Sequence, residues 1–197
     1  MADRPVRLFI AIPLPGDAVD ACAALIDTVR RGPLGRMPRW VHVPNLHLTL
    51  RFLGDTPEDL VPDVVLAVRG AVAATGVAAF QVRLAGAGWF PGDRKPRTLW
   101  LGIERGVDEL ARLAGALDPA LAPLGWPPDG RPYRPHLTVA RIDATSPIEG
   151  MAVAGDLVRA ASGWETSFTA GRVVVYRSRL GGGPPRHEPV DEVALPA

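Results

Sequence analysis

The stretch Asn45-Leu46-His47-Leu48-Thr49-Leu50-Arg51-Phe52-Leu53-Gly54 is the part of this chain that decides its interpretation. In an extended strand, successive side chains point to opposite faces. The sequence therefore predicts one core-facing apolar set, made of Leu46, Leu48, Leu50 and Phe52. The polar set on the other face would be Asn45, His47, Thr49 and Arg51. Taken alone, this alternation is typical of an ordinary half-buried strand.

A second stretch repeats the pattern and changes that interpretation. It reads Arg134-Pro135-His136-Leu137-Thr138-Val139, and its histidine lies 89 residues after the first (136 − 47). Arg134, His136 and Thr138 would again share one face of a strand. Each histidine is followed two residues later by a threonine, so the two stretches predict one functional site built from both.

The elements around the two stretches recur in the same order, and the sequence predicts an internal duplication of approximately 5–90 and 96–180 within one two-lobed domain, 1–197. The first copy would be a strand at 7–12, a helix at 17–31, the His47 strand, a helix that begins at Pro57 or is delayed to Pro62, and a strand from Phe80. The second copy would be a strand at 98–103, a helix at 107–121 that Pro119 bends or ends, the His136 strand, a helix capped by Ser146, and strands at Phe168 and 173–176. A C-terminal tail, 181–197, would follow, mobile over 181–189 and with an edge strand at 192–195.

The composition indicates a globular protein, and its net charge does not predict a surface that binds polyanions. The chain has 197 residues, 47% of them hydrophobic, with 22 basic and 21 acidic side chains and a net charge of +1. Its one cysteine, Cys22, excludes an internal disulfide and fits a reducing cytoplasm. No apolar stretch approaches the roughly 18 residues that a membrane helix needs. We therefore expect a cytoplasmic protein without a membrane segment.

Two histidines facing one cleft are suited to acid–base chemistry at phosphorus. Because imidazole titrates near ~6.5, one ring can be charged and the other neutral around pH 7. One would take a proton from an attacking oxygen and the other would give one to the leaving oxygen. The hydroxyls of Thr49 and Thr138 could donate to phosphoryl oxygens, and Arg134 and Arg51 could neutralise their charge. The substrate that fits is a small phosphodiester.

His47-Leu48-Thr49-Leu50 and His136-Leu137-Thr138-Val139 resemble the paired His-x-Thr-x motifs of the two-histidine phosphoesterase superfamily. The chain is most similar to the RNA 2',3'-cyclic phosphodiesterase branch, also called 2'-5' RNA ligase (LigT-like). The resemblance extends over five segments: 7–11, 45–54, 97–102, 134–141 and 176–180. It implies an α+β fold of two pseudo-symmetric lobes, each an antiparallel sheet with helices packed outside, and an active-site cleft between them.

The resemblance also implies hydrolysis of RNA 2',3'-cyclic phosphate ends to 2'-phosphomonoesters, without a metal or other cofactor. His47 would be the proton donor to the departing 3' oxygen, and His136 would accept the proton of the attacking water. Thr49, Thr138 and Arg134 would hold the phosphate. The partner would be an RNA or oligonucleotide end, and the chain would act as a monomer. One departure is visible, since His187 stands where the family usually has an aromatic residue.

Two other functions remain open from the sequence. The same groups could join a 2',3'-cyclic phosphate to a 5'-hydroxyl, as a 2'-5' RNA ligase, or could bind RNA ends without catalysis. A zinc site is disfavoured because no cysteine or carboxylate lies beside either histidine. His42 and His187 are interpreted as surface residues. Trp40, Phe90, Trp126 and Tyr133 are interpreted as anchors of proline-rich loops rather than as stacking platforms for bases.

Overall fold

The structure is a computed structural model that describes residues 5–92, 95–143, 146–179, 181 and 183–197. The residues outside the described part include Asp93 and Arg94, between the two predicted copies, Leu180, at the end of the second copy, and Gly182, in the predicted tail. None of the helices in the described residues combines the length and the hydrophobicity that a membrane-spanning helix requires.

The described residues form nine strands and four α-helices. The strands are β1 (Val6–Pro13), β2 (Arg39–Trp40), β3 (His47–Thr56), β4 (Phe80–Phe90), β5 (Thr98–Arg105), β6 (Leu137–Arg141), β7 (Glu165–Ala170), β8 (Arg172–Arg179) and β9 (Arg186–Ala194). The helices are α1 (Gly16–Arg30), α2 (Val61–Thr75), α3 (Val107–Leu121) and α4 (Pro147–Ala160).

The strands build two antiparallel sheets, one in each lobe. The four-stranded sheet has the order β3-β1-β8-β9, and the five-stranded sheet has the order β2-β6-β5-β4-β7. Helices α2 and α3 pack together on the first sheet, and α1 and α4 pack together on the second. The predicted α+β architecture of two lobes is therefore confirmed.

The two sheets do not coincide with the two halves of the sequence. Strand β4, from the first half, pairs in the five-stranded sheet, and β8, from the second half, pairs with β1 in the other. Phe80 and Phe168, which the sequence pairs as equivalent positions, lie in the neighbouring strands β4 and β7. Each lobe thus depends on both halves, and the duplication itself stays a prediction.

The helix boundaries follow local chemistry with two exceptions. Ser146 caps α4 by accepting a hydrogen bond from the Glu149 N–H at 3.4 Å, and Pro62 is the second residue of α2, as the delayed start predicts. The alternative start at Pro57 is wrong, because α2 begins at Val61. The prediction that Pro119 bends or ends α3 is wrong as to its end. The helix continues to Leu121. The burial of Leu121 offsets the loss of the one backbone hydrogen bond that Pro119 cannot donate.

The C-terminal segment is more ordered than its composition indicates. The glycine-rich and proline-rich stretch predicts mobility up to residue 189, but β9 begins at Arg186 and pairs along β8 to Ala194. Pro189 is tolerated because β9 is an edge strand and the register with β8 shifts there. This strand brings His187 into the four-stranded sheet.

Candidate active site

The first histidine motif lies at the start of β3. His47 pairs opposite Pro13, and Thr49 pairs opposite Ala11, in the antiparallel ladder with β1. Leu48, between them, is fully buried in the core. Since successive residues of a strand point to opposite faces, His47 and Thr49 share the other face of the sheet. We call this the cleft face.

An irregularity at Leu50 reverses the orientation of Arg51. Thr49 and Arg51 pair with successive residues of β1 instead of alternate ones, so Leu50 is an extra residue in the ladder. A bulge of this kind changes which face the following side chains occupy. Arg51 pairs opposite Ile10, a fully buried core residue. The prediction that Arg51 shares a face with His47 is therefore wrong.

The contacts of Arg51 agree with that orientation. Its Nη1 lies 3.1 Å from the carboxylate of Asp118 in α3, and its Nη2 donates to the carbonyl of Pro127. Only 12% of its side chain is exposed. The charge of Arg51 is thus used to join β3 to α3 and to the following loop, so the predicted role in phosphate binding is not one that this geometry supports.

The same irregularity corrects the prediction for Phe52, and a second one follows at Leu53. The register skips Leu53, which is 7% exposed, while Phe52 pairs opposite Phe9 and is 61% exposed. Strict alternation predicted that Phe52 faces the core, and that is wrong because the extra residue at Leu50 turns Phe52 to the face of His47 and Leu53 to the core.

The second motif has the same arrangement in the five-stranded sheet. His136 immediately precedes β6, and Thr138 pairs opposite Trp100 of β5. Leu137 is fully buried behind them. The ring of Phe90 meets the His136 ring edge-on, with centroids 5.0 Å apart. His136 and Thr138 therefore share a face, as predicted, and Phe90 is part of the site's wall.

A bulge also follows the second motif. The register between β5 and β6 shifts after Thr138, and both Val139 and Ala140 are fully buried. Arg141 consequently returns to the face of Thr138, opposite Thr98. Strict alternation places Arg141 on the core side, so no local signal singles it out. It is a cation of the site that sequence reasoning missed.

Hydrogen bonds from the loop before His136 hold the two motifs close together. The Tyr133 hydroxyl donates to the carbonyl of Thr49 at 2.9 Å, and the Trp126 indole N–H donates to the carbonyl of Leu53 at 2.9 Å. Strands β3 and β6 are also in contact. The interpretation of Trp126 and Tyr133 as loop anchors is confirmed. Their hydrogen bonds attach the segment leading to His136 directly to the strand that carries His47.

Trp40 is a loop anchor as well. Its indole N–H donates to the carbonyl of Gly35 at 2.7 Å. Phe90, which was grouped with it, contacts the rings of His136 and Trp100 and belongs to the site.

Both histidines are held in the same way. Nδ1 of His47 lies 2.7 Å from the carbonyl oxygen of Asn45, and Nδ1 of His136 lies 2.7 Å from the carbonyl oxygen of Arg134. Because a carbonyl only accepts, Nδ1 must carry the proton in each ring. Nε2 is then the atom left to exchange a proton with a substrate. Each ring can act as a base when neutral and as an acid when charged.

Burial keeps both histidines neutral in the unliganded protein. It lowers the pKa of His47 to about 4, against the opposing effect of the Asn45 hydrogen bond, and the charge of His187 lowers it further. Burial also lowers the pKa of His136, against the Arg134 hydrogen bond, and the charge of Arg141 acts in the same direction as burial. The expectation that one ring is charged at neutral pH therefore does not hold for the protein without a ligand.

Acidification is expected to destabilise the fold through His47. Its pKa is about 4 in the folded chain and about 6.5 when unfolded, so between these values the unfolded chain binds a proton that the folded chain does not. The free energy of unfolding should fall by up to about 3 kcal/mol as the pH drops through this window. Urea denaturation at pH 7 and pH 4.5 measures it. Between pH 7 and pH 4.5, His47→Gln should lose less stability than the wild type. An equal loss would contradict the assignment of this pH dependence to His47.

Arg134 and the two threonines remain available to a ligand. Arg134 is exposed, and its guanidinium takes part in none of the ion pairs among the described residues. Thr49 and Thr138 are partly exposed beside their histidines. In the part of the chain that the structure describes, no three His, Cys, Asp or Glu side chains cluster as metal ligands would.

An aromatic cluster surrounds His47. Phe9 stacks on Tyr176 with centroids 5.1 Å apart, and its ring lies 4.7 Å from His47. The ring of His187 lies 5.4 Å from that of His47. The interpretation of His187 as a surface residue is wrong, whereas His42 is exposed as predicted. The pairing of β9 with β8 places His187 here, and the glycine-rich sequence before it conceals that strand.

The comparisons with known proteins agree with this site. The family model described as 2'-5' RNA ligase superfamily matches residues 18–182. An RNA 2',3'-cyclic phosphodiesterase of Methanothermobacter thermautotrophicus is 34% identical over 70% of this chain and 71% of its own. One of Thermus thermophilus is 35% identical over 72% of this chain and 71% of its own, and one of Geobacillus stearothermophilus is 33% identical over 87% of this chain and 52% of its own.

Solved structures share the whole architecture. E. coli LigT complexed with 3'-AMP superposes with a TM-score of 0.74, at 26% identity, over 97% of this chain and 98% of that one. A protein of Thermus thermophilus gives a TM-score of 0.72, at 28% identity, over 96% of this chain and 97% of that one.

Two lobes that each contribute one His-x-Thr motif define a two-histidine phosphoesterase. Within that class, the chain belongs to the 2'-5' RNA ligase superfamily. The resemblance to the RNA 2',3'-cyclic phosphodiesterase branch is thereby confirmed.

Proposed function

We propose that this chain hydrolyses RNA 2',3'-cyclic phosphate ends to 2'-phosphomonoesters by acid–base catalysis with His47 and His136. The observation that carries the proposal is the matched geometry of the two imidazoles: each donates from Nδ1 to a carbonyl at 2.7 Å, and among the described residues Nε2 has no hydrogen-bond partner. The activity printed for the relatives, RNA 2',3'-cyclic phosphodiesterase, supports the same reaction.

The two rings would act on opposite sides of one phosphorus. Neutral His136 accepts a proton from water at Nε2 while the water oxygen bonds to phosphorus. Charged His47 gives its Nε2 proton to the 3' oxygen as the phosphorus–oxygen bond breaks. The product keeps its phosphate on the 2' oxygen, and the proton count balances. The distribution of donor and acceptor follows the family resemblance, and each transfer is worth roughly 10²- to 10⁴-fold in rate.

The bound anion would supply the charge state that His47 needs. Unliganded His47, with a pKa of about 4, is neutral at pH 7. An anionic phosphate about 4 Å away stabilises the charged ring by about 4 kcal/mol at an effective dielectric constant near 20, which is about three pH units. His47 would therefore become an acid when the substrate binds, and its ring would remain neutral in the empty site.

Thr49, Thr138 and Arg134 would hold the phosphate, joined by Arg141. The hydroxyls lie on the faces of the two histidines, and the two guanidiniums flank His136 along the chain. Donors fixed before the reaction are the usual source of stabilisation for charge that develops on phosphoryl oxygens. Arg51 is not included, because its charge is paired with Asp118.

We also infer that one chain makes a complete site and acts as a monomer in a reducing compartment such as the cytoplasm. Both motifs come from the same polypeptide and are linked by the bond from Tyr133 to Thr49. Cys22 is buried, and burial raises the pKa of its thiol to about 12, so it is inert in oxidation and metal binding.

Turnover of a short RNA with a 2',3'-cyclic phosphate end tests the proposal. We expect a product that phosphatase converts to a free end and that comigrates with a 2'-phosphate standard, and we expect the same rate with EDTA. Binding of the RNA without any product would contradict hydrolysis and would favour an RNA-end binding module without catalysis. Loss of activity in EDTA that one divalent ion restores would contradict the metal-independent mechanism. Formation of a joined product only after 5'-hydroxyl RNA is added would favour ligation.

A further inference from the structure

The edge strand β9 brings a third histidine against the first catalytic candidate. His187 pairs opposite Ser178, and its half-buried ring meets two other rings edge-on. The centroids are 4.8 Å from Phe9 and 5.4 Å from His47. Nothing in the reaction proposed above uses this residue.

Asn45 connects His187 to His47 through a second route. Its carbonyl oxygen accepts the hydrogen bond from Nδ1 of His47. Its side-chain amide donates to the carbonyl of Pro185 at 2.6 Å, two residues before His187. The start of β9 is thus attached to the residue that orients the His47 ring.

The rings of Phe9 and His187 both contact the His47 ring. Phe9 lies 4.7 Å from its ring at an interplanar angle of 34°, and His187 lies 5.4 Å away at 73°. With Nδ1 bonded to Asn45 as well, the ring has little freedom to turn. An acid held in this way keeps Nε2 in one direction, which proton transfer to a single oxygen requires.

We propose that His187 is a positioning residue for His47: its ring holds the His47 imidazole against Phe9, and its charge, when protonated, opposes protonation of His47. The proposal rests on the proposed function only in that it assigns His187 to the acid side of that reaction. It predicts that His187 affects both the orientation of His47 and the pH at which His47 gains its proton.

The surrounding charges leave this coupling undisturbed. Those on the neighbouring elements are paired in the described structure, as Arg177 with Glu58, Arg179 with Glu188, Arg7 with Asp55, and Arg69 with Asp191. Arg186 precedes His187 and therefore points to the other face of β9. Tyr176, whose ring centroid is 6.3 Å away, stays neutral because burial raises its pKa.

The titration behaviour is consistent with the geometry. Burial lowers the pKa of His187, so its ring is neutral at pH 7 and packs as an aromatic group. At lower pH the His187 ring gains a proton. Its positive charge then lowers the pKa of His47 further, in the same direction as the burial of His47. Two like charges 5.4 Å apart between water and protein interior repel by an amount equal to roughly one pH unit.

Titration of the His47 ring by NMR in the unliganded protein tests the coupling without turnover. We expect the His47 midpoint to rise by roughly one pH unit in both His187→Phe and His187→Gln, since each removes the charge. His42→Phe, a change at an exposed histidine, is the matched control and should leave the midpoint in place. A His47 midpoint that moves in neither His187 variant would overturn the proposal.

Turnover of the same variants tests the positioning role. His187→Gln removes the ring and should lower kcat about tenfold with little change in KM, whereas His187→Phe restores most of that loss because a ring remains. Equal kcat in the wild type and both variants would overturn the positioning role. A moved midpoint in a protein that hydrolyses no cyclic phosphate would instead overturn the proposed function.

Discussion

Replacement of His136 by alanine is expected to lower kcat for a 2',3'-cyclic phosphate RNA by about 10²- to 10⁴-fold, and replacement of His47 to do the same. Each variant removes one proton transfer and leaves the phosphate ligands in place. Because the rings act on the same phosphorus in one step, the double variant should lose little more than either single variant. Steady-state kinetics at pH 7 on the three proteins measures this.

An exposed histidine outside the site provides the control. His42→Ala, in an exposed position, should keep wild-type kcat, and circular dichroism should show that every variant is folded. Near-normal turnover in either His47→Ala or His136→Ala would refute the mechanism. Effects that multiply in the double variant would show that the rings act in separate steps.

Arg51→Met is expected to lower the free energy of unfolding by about 2 kcal/mol. Methionine keeps much of the volume but leaves the Asp118 carboxylate and the Pro127 carbonyl without their donor. Breaking a fully buried pair costs about 3 to 5 kcal/mol, and Asp118, which is 31% exposed, regains some hydration. Urea denaturation at pH 7 gives the value.

Arg134→Met provides the matched comparison. Arg134 is exposed and outside the described ion pairs, so we expect a raised KM with stability within about 0.5 kcal/mol of the wild type. For Arg51→Met we expect the reverse, a KM near the wild-type value in the folded enzyme. If Arg51→Met raised KM and left stability unchanged, the side chain would belong to the phosphate site after all.

The sequence predicted the parts of the site that depend on period-two alternation near the histidines. His47 with Thr49, and His136 with Thr138, share faces as expected because no bulge falls between them. Alternation failed immediately afterwards, where extra residues at Leu50, Leu53 and Val139 reverse the faces. Bulges depend on the pairing with the neighbouring strand, so one strand's own pattern does not reveal them.

Long-range pairing accounts for the other differences. The place of β4 in the five-stranded sheet and of β8 beside β1 depends on which edges meet in three dimensions. His187 was missed for the same reason, since glycine and proline before it indicate a loop while pairing with β8 makes a strand. The hydrogen bond from Tyr133 to Thr49 joins residues 84 positions apart, and no local signal marks it.

The proposed mechanism requires that Nε2 of both imidazoles reaches one phosphate, and NMR titration of the two rings with and without a nucleoside 2'-monophosphate measures this. We predict that the bound phosphate raises the pKa of His47 and of His136 together, and that the Nε2 signals of both rings shift at the same ligand concentration. A ligand that saturates the protein while only one ring responds, or neither, would refute a shared phosphate site.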